Sequence, residues 1–398
     1  MGTANRPPIP TAIIAGAAAL LLAGAGIVYW VAAPGGRVAA GPEPVLPRTT
    51  PPPPHHYLPP ARGGVRAVGR DGSVAATDGP LGKAINVYGP NDALRWTLAE
   101  PEPVQLVMTP LGDLVVHAKD GLVTDYDPQG VVRWRYDARP EEDLTIVGAT
   151  ADGIVFAHGK PWNDLDAVIR AIDANGHAAV ILTTEADASH VQVTSDGGLL
   201  VQDGNLVVKH DAKGKELWRV TTGNDGGMVA ETPDGIVVGS LNRVRGLDTQ
   251  GNERWAVSLM GASTRDVITH VTVTPSGRVY AQTSELWAIE NGRQLWHWDE
   301  AVLKEAPVVD IDGAVFARDE RGTVYAIGPT GRLRWQWQPD AQPGAASQGG
   351  PMWLGGERSL VASVGRRLAV LDLGPRSPLV AATPAVVTTI LPATASSN

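Results

Sequence analysis

Six tryptophans set the frame of this 398-residue chain. Trp96, Trp134, Trp218, Trp255, Trp296 and Trp335 follow one another at gaps of 38, 84, 37, 41 and 39 residues. The long gap divides into 46 and 38 if Val180 takes the same slot. Four residues before the slots stand Gly130, Gly176, Gly214, Gly251, Gly292 and Gly331, with Asp92 in that place in the first copy. Asp127, Asp173, Asp211 and Asp248 each stand three residues ahead of their glycine. The local unit therefore reads as a strand, a D-x-x-G turn and a second strand entered through the tryptophan. Such a turn uses the aspartate side chain to bond its own backbone and a glycine to take positive φ.

A second series marks an earlier hairpin in every unit: Gly72, Gly112, Gly153, Gly197, Gly235, Gly277, Gly313 and Gly356, spaced 36 to 44 residues apart. Each precedes an alternating apolar run such as Ile154-Val155-Phe156-Ala157. Units of about 40 residues with four short strands are propeller blades, and helical periodicity is absent after residue 40. The fold expected is all-β, a propeller over residues 63–376. Eight glycines argue for eight four-stranded blades. Seven stays open, because Pro378 follows the last turn, at Gly374, where a tryptophan would stand. Proline there suits only an outer strand.

Gly322-Thr323-Val324-Tyr325-Ala326-Ile327 followed by Gly331-Arg332-Leu333-Arg334-Trp335 resembles the PQQ-like, or tryptophan-docking, propeller repeat, as do Asn205 to Trp218 and Arg243 to Trp255. The resemblance covers about residues 65–375 and implies that Trp96, Trp134, Trp218, Trp255, Trp296 and Trp335 dock between neighbouring blades. It says less about activity, since one fold carries many functions. The quinoprotein dehydrogenases of this family use an Asp base, a calcium ion and, in the alcohol dehydrogenases, a vicinal Cys pair. This chain has no cysteine, and its nearest acidic pair, Asp310 and Asp312, falls inside an ordinary turn before Gly313. PQQ is thus compatible with the repeat but has no support from residues, and no cofactor or catalytic residue is expected. The chain is also similar to the propeller lipoprotein of the outer-membrane β-barrel assembly machinery, although the lipid-bearing cysteine is missing.

Ahead of the repeats, Thr11 to Ala33 runs 23 residues without a charge. At 1.5 Å per residue it can cross a bilayer core of roughly 30 Å. It is read as an uncleaved signal anchor (residues 11–33) behind a short cytoplasmic segment (1–10), with a cleaved signal peptide as the alternative, since Val31-Ala32-Ala33 resembles a cleavage site. Tyr29 and Trp30 sit at its interfacial end. Residues 34–62, with Pro51-Pro52-Pro53-Pro54, read as a stiff Pro-rich stalk in which His55 and His56 are solvated. The arrangement predicts a single-pass anchored protein with an extracytoplasmic propeller, periplasmic or at the cell surface. Residues 377–398 form a tail in which Val386–Leu391 is strand-like; it either adds an outer strand to blade eight or trails.

A net charge of −9 gives no basic footprint for nucleic acid. The acidic residues gather in the connections between blades, among them Glu141, Glu142 and Asp143, so a basic peptide would find a complementary face there. Blade three also carries extra residues on that face, Lys160 to Asp166, with Trp162, Asp164 and Asp166 as binding candidates. Insertions on one face of a repeat array are often its binding face. His190 and His270 each stand seven residues before their blade glycine, and Gln105 holds the same slot in blade two. All three are expected at the channel mouth. No metal site is expected from them. The reading is a non-catalytic, membrane-tethered scaffold that binds protein or peptide. A PQQ- or metal-dependent enzyme and a small-ligand sensor using the central channel stay open as alternatives.

Overall fold

The computed structural model describes residues 51–374 except 59–65, 79–83, 100–101, 140, 162–165, 185–187, 223–227, 260–266, 311, 341–349, 356–358 and 366. The repeats resolve into eight antiparallel sheets of four strands each, an eight-bladed propeller. In blades 1 to 7 the strands of a sheet follow chain order, the first innermost. Blade 2, for example, comprises Pro103–Met108, Leu114–Ala118, Leu122–Tyr126 and Val132–Asp137. The first-turn glycines take the left-handed conformation that the hairpins need, Gly112 at φ 84° and Gly153 at φ 89°.

Alternation along each strand gives every sheet two apolar faces, and the core lies between sheets rather than within one. Eight apolar clusters result, one per junction. Val107, Val115 and Val123 of blade 2 pack with Ile146, Val155 and Ile172 of blade 3, and Val361, Leu368 and Val370 of blade 8 pack with Val68, Val74 and Ala76 of blade 1. That last cluster closes the ring.

The closing blade corrects two expectations. Met352–Gly355, Ser359–Val364 and Arg367–Asp372 form its inner three strands, and the outer one is His55–Tyr57 from the other end of the propeller. The Pro-rich stretch therefore does not run as a free stalk to residue 62. His55 pairs with Leu371 and Tyr57 with Ala369, and Asp372 N–H donates to Pro54 O at 2.9 Å. His55 and His56 are not merely solvated. The His55 ring meets Trp337 of blade 7 edge-on at 5.1 Å, and His56 Nε2 lies 2.6 Å from Asp92 of blade 1. This three-residue strand ties three blades together, and it takes the outer place in blade 8 that was one of the two fates left open for the tail. Among the described residues no helix is long and apolar enough to cross a membrane. The expected anchor at 11–33, the segment 1–10 and the tail from 377 lie outside the described residues.

Candidate functional site

What a ring of this kind can bind depends on which side chains the blades leave free, so the junctions come first. The D-x-x-G turns form as their sequence requires. Asp127 Oδ1 accepts from Gln129 N–H and Val131 N–H at 2.9 and 2.8 Å, and Asp211 does the same for Lys213 and Lys215. Those N–H groups hold the Asp211 carboxyl below its ordinary pKa. The turns at Gly130, Gly176, Gly251, Gly292 and Gly331 meet the tryptophan of the blade before them. A Cβ on Gly130 would fall 2.9 Å from the Trp96 ring, and one on Gly331 would fall 2.8 Å from the Trp296 ring. The indole N–H groups of Trp96, Trp218 and Trp296 donate to turn carbonyls of the next blade, Pro128, Thr249 and Pro329, at 2.9 to 3.1 Å. Trp134 is the most buried of the series and packs with Gly176.

A β-bulge aims these rings. In six outer strands the register slips by one residue immediately before the tryptophan, between the partners Val87 and Tyr88 in blade 1 and between Lys209 and His210 in blade 4. The extra residue is Arg95, Arg133, Leu217, Arg254, Leu295 or Arg334, and a bulge of this kind re-aims the side chain beside it. Three of the arginines return to the first turn of their own blade: Arg95 to Asp71 at 3.7 Å, Arg133 to Asp113 at 3.0 Å and Arg254 to Asp234 at 3.8 Å.

Blade 3 departs from this pattern. Val180 was expected to fill the tryptophan slot, and the register moves it out. Val180 pairs with Arg170 and Leu182 with Ile169, so the bulge falls on Ile181. Val180 is 49% exposed, while Ile181 packs with Ile169 and Ala171 against Val191 and Leu199 of blade 4. Gly214 closes on main chain rather than on a ring, for a Cβ there would lie 1.9 Å from the Ile181 carbonyl oxygen. Counting from the turn glycine located the residue but not the direction it faces.

The channel-rim candidates sit on innermost strands: Gln105 on Pro103–Met108, His190 on Ala188–Val193 and His270 on His270–Val273. Gln105 is engaged in the fold. Its Nε2 donates to Ile146 O at 2.8 Å and its Oε1 accepts from Ile146 N–H at 2.7 Å, an amide clamp between blades 2 and 3. Burial lowers the pKa of His190, and lowers that of His270 to about 4, so both rings are neutral near pH 7. His270 Nδ1 lies 3.1 Å from Thr269 Oγ1.

The sequence reading missed the partners of these residues. Gln105 stands opposite His117, His190 opposite Gln202 and His270 opposite Gln282. All three partners lie five residues after a first-turn glycine. The same count gives Thr77, His158 and Arg318, so six blades place a polar side chain at this level of the second strand; in blade 5 the register puts Gly239 there. Arg318 shows its use. Fully buried, it donates to Gly322 O at 3.1 Å within its blade and to Gly350 O and Ser363 O at 2.8 and 2.6 Å, fastening blade 7 to blade 8. Desolvation lowers its pKa to about 10.

Of the insertion candidates, Asp166 is half-buried at the start of the third strand of blade 3, and Trp162 and Asp164 lie outside the described residues. Glu141, Glu142 and Asp143 open the inner strand of the same blade, Glu141–Ala149. Asp310 and Asp312 fall in the first turn of blade 7, closed by Asp310 N–H to Ala314 O at 2.8 Å. Among the described residues no three His, Asp or Glu side chains gather to hold a metal ion.

Comparison with known proteins agrees with this geometry. A family model described as "Outer membrane protein assembly factor BamB" matches residues 165–297 and 240–374, together more than half of the chain. No curated protein sequence matches. Among solved structures, the crystal structure of BamB from Moraxella catarrhalis superposes with a TM-score of 0.57 at 14% identity, covering 81% of this chain and 99% of that one. The Dos1 propeller gives 0.60 at 13%, covering 81% and 96%. The C-terminal WD40 domain of Sif2 gives 0.61 at 10%, covering 81% and 99%. At these identities the superpositions speak for the fold alone.

Proposed function

The chain belongs to the family described as outer membrane protein assembly factor BamB, and on that premise we propose that it is a non-catalytic scaffold, a rigid ring that binds protein partners in an extracytoplasmic compartment. Family membership is the observation that carries this reading. The side chains support it. Polar groups that could have formed a channel site, Gln105 and Arg318, are occupied in joining blades. What distinguishes one blade from the rest lies at its surface: the insertion Lys160–Asp166 of blade 3, on the face that also carries the acidic connections between blades. We assign the partner to that face, to a basic segment of protein, with Trp162 as anchor and Asp164, Asp166, Glu141, Glu142 and Asp143 as the charged surround. The uncharged run 11–33 holds the propeller at a membrane in this account.

The test is isolation of the full chain from native membranes beside a Trp162→Ala, Asp164→Ala, Asp166→Ala variant. The account expects a co-isolated protein that the variant loses while keeping its melting temperature. An unchanged set of co-isolated proteins would refute the assigned face. A rise in melting temperature with PQQ and calcium would favour the enzyme reading instead. A site at one hundred times its Kd stabilises a fold by about 2.7 kcal/mol.

A further inference from the structure

Seven outer strands of this propeller follow their neighbour in the sheet through a turn of two to five residues, so the chain itself returns them to their place. The eighth has no such turn. His55–Tyr57 pairs with Arg367–Asp372, more than three hundred positions away, and brings no repeat tryptophan. Its ladder is short. His55 faces Leu371, His56 faces Val370 and Tyr57 faces Ala369, and the pairing ends in Asp372 N–H to Pro54 O at 2.9 Å and Leu58 N–H to Leu368 O at 3.0 Å. Pro51-Pro52-Pro53-Pro54 has no N–H with which to lengthen it.

The hold on this strand is uneven. His55 and His56 are exposed, and the contact of His56 with Asp92 joins side chains that are 54% and 30% exposed, so it holds weakly in water. Tyr57 is half-buried. Leu58 differs. It is 3% exposed and lies in the apolar cluster between blades 8 and 1, with Val68, Val74, Leu368 and Val370. The strand underneath has its own support, because Arg367–Asp372 pairs along its whole length with Ser359–Val364 on the other side.

We propose that residues 51–57 are a latch that pivots at Leu58, leaving the edge of blade 8 and returning to it while the ring stays folded. Local openings of this kind arise where few buried contacts hold a segment. The latch is also the first part of the ring that the chain reaches from the uncharged run 11–33. On the reading of that run as a membrane anchor, a pull between the anchor and a bound partner falls on the latch before it reaches any blade.

Amide exchange resolved to single residues in the full chain tests this, because the N–H groups of Arg367–Asp372 alternate in direction. Those of Val370 and Asp372 point to the latch, and those of Ala369 and Leu371 point to Ser359–Val364. Val370 and Asp372 should exchange at least about tenfold faster than Ala369 and Leu371. A Tyr57→Cys, Ala369→Cys variant places two thiols at a facing, non-hydrogen-bonded pair in a chain that has no other cysteine. Oxidising it should close the gap between the two sets, and reducing it should restore the gap. One common rate for all four amides in the wild type would overturn the proposal, since the strand would then leave only with its blade. A gap that survives in the oxidised, cross-linked variant would overturn it as well. Neither result depends on what the propeller binds or where it is anchored.

Discussion

Blades 2 and 3 are neighbours, yet each joins the next blade by different means. Blade 2 bulges just ahead of its aromatic residue, so Trp134 turns towards blade 3, is buried to 5% exposure, and lies under the turn at Gly176. Blade 3 bulges at Ile181, two residues further from its turn glycine than the corresponding bulge in blade 2. Its apolar side chain turned to blade 4 is smaller, the next turn closes on backbone, and Val180 is left facing water. The shift of one bulge by two positions exchanges a docked ring for an open, uncharged edge.

That contrast can be broken at either blade. Trp134→Ala should cost about 3–5 kcal/mol in urea unfolding, as removal of a buried tryptophan does. Gly214→Ala should come next, at roughly 3 kcal/mol. Positive φ strains the alanine and its Cβ has only main chain to push against, whereas Gly130→Ala presses on the Trp96 ring and should cost about 1–2 kcal/mol. Equal losses at the two glycines would mean that the junctions do not differ as described.

Blade 2 also carries a buried carboxylate. Asp125, 4% exposed, is pushed up to about 7 by desolvation and by the neighbouring Asp113, itself buried and raised. Because the folded pKa lies above the ordinary carboxylate value of 3.8, the folded state holds the proton more tightly. Its stabilising contribution is complete below about pH 4 and is lost as pH rises through about 7. Melting temperature should therefore fall across that window more steeply in the wild type than in Asp125→Asn, and parallel curves would remove Asp125 from the account. The smallest effect belongs to blade 3. Val180→Ala should change stability by less than about 0.5 kcal/mol, as surface substitutions do.

Much of this was legible in the sequence because the repeat is written in residues with one local job. A glycine at positive φ and an aspartate that bonds its own turn recur whatever the surroundings, so counting Gly72 to Gly356 favoured eight blades over seven and gave the strand order of all but the closing one. Facing direction was not legible, because the bulge depends on which partner each backbone group finds, and Val180 carries no mark of having lost its slot. The closing strand was hidden for a related reason. His55–Tyr57 pairs with residues more than three hundred positions away, and its sequence sits in a proline-rich stretch that reads as a stalk. The spacing of Gln105, His190 and His270 placed them on innermost strands, where the structure has them. Their partners at His117, Gln202 and Gln282 were not, although the same count from the glycine would have reached them. The amide clamp of Gln105 on Ile146 needed the neighbouring blade in place.

The claim that blade 3 is the working blade of a scaffold is tested most directly by site-specific photocrosslinking of the full chain in native membranes. A photoreactive residue would replace Asp166 of blade 3 or Asn205 in the corresponding loop of blade 4. The account predicts a protein adduct from position 166 and none from 205. An adduct from 205 alone, or equal adducts from both, would contradict it.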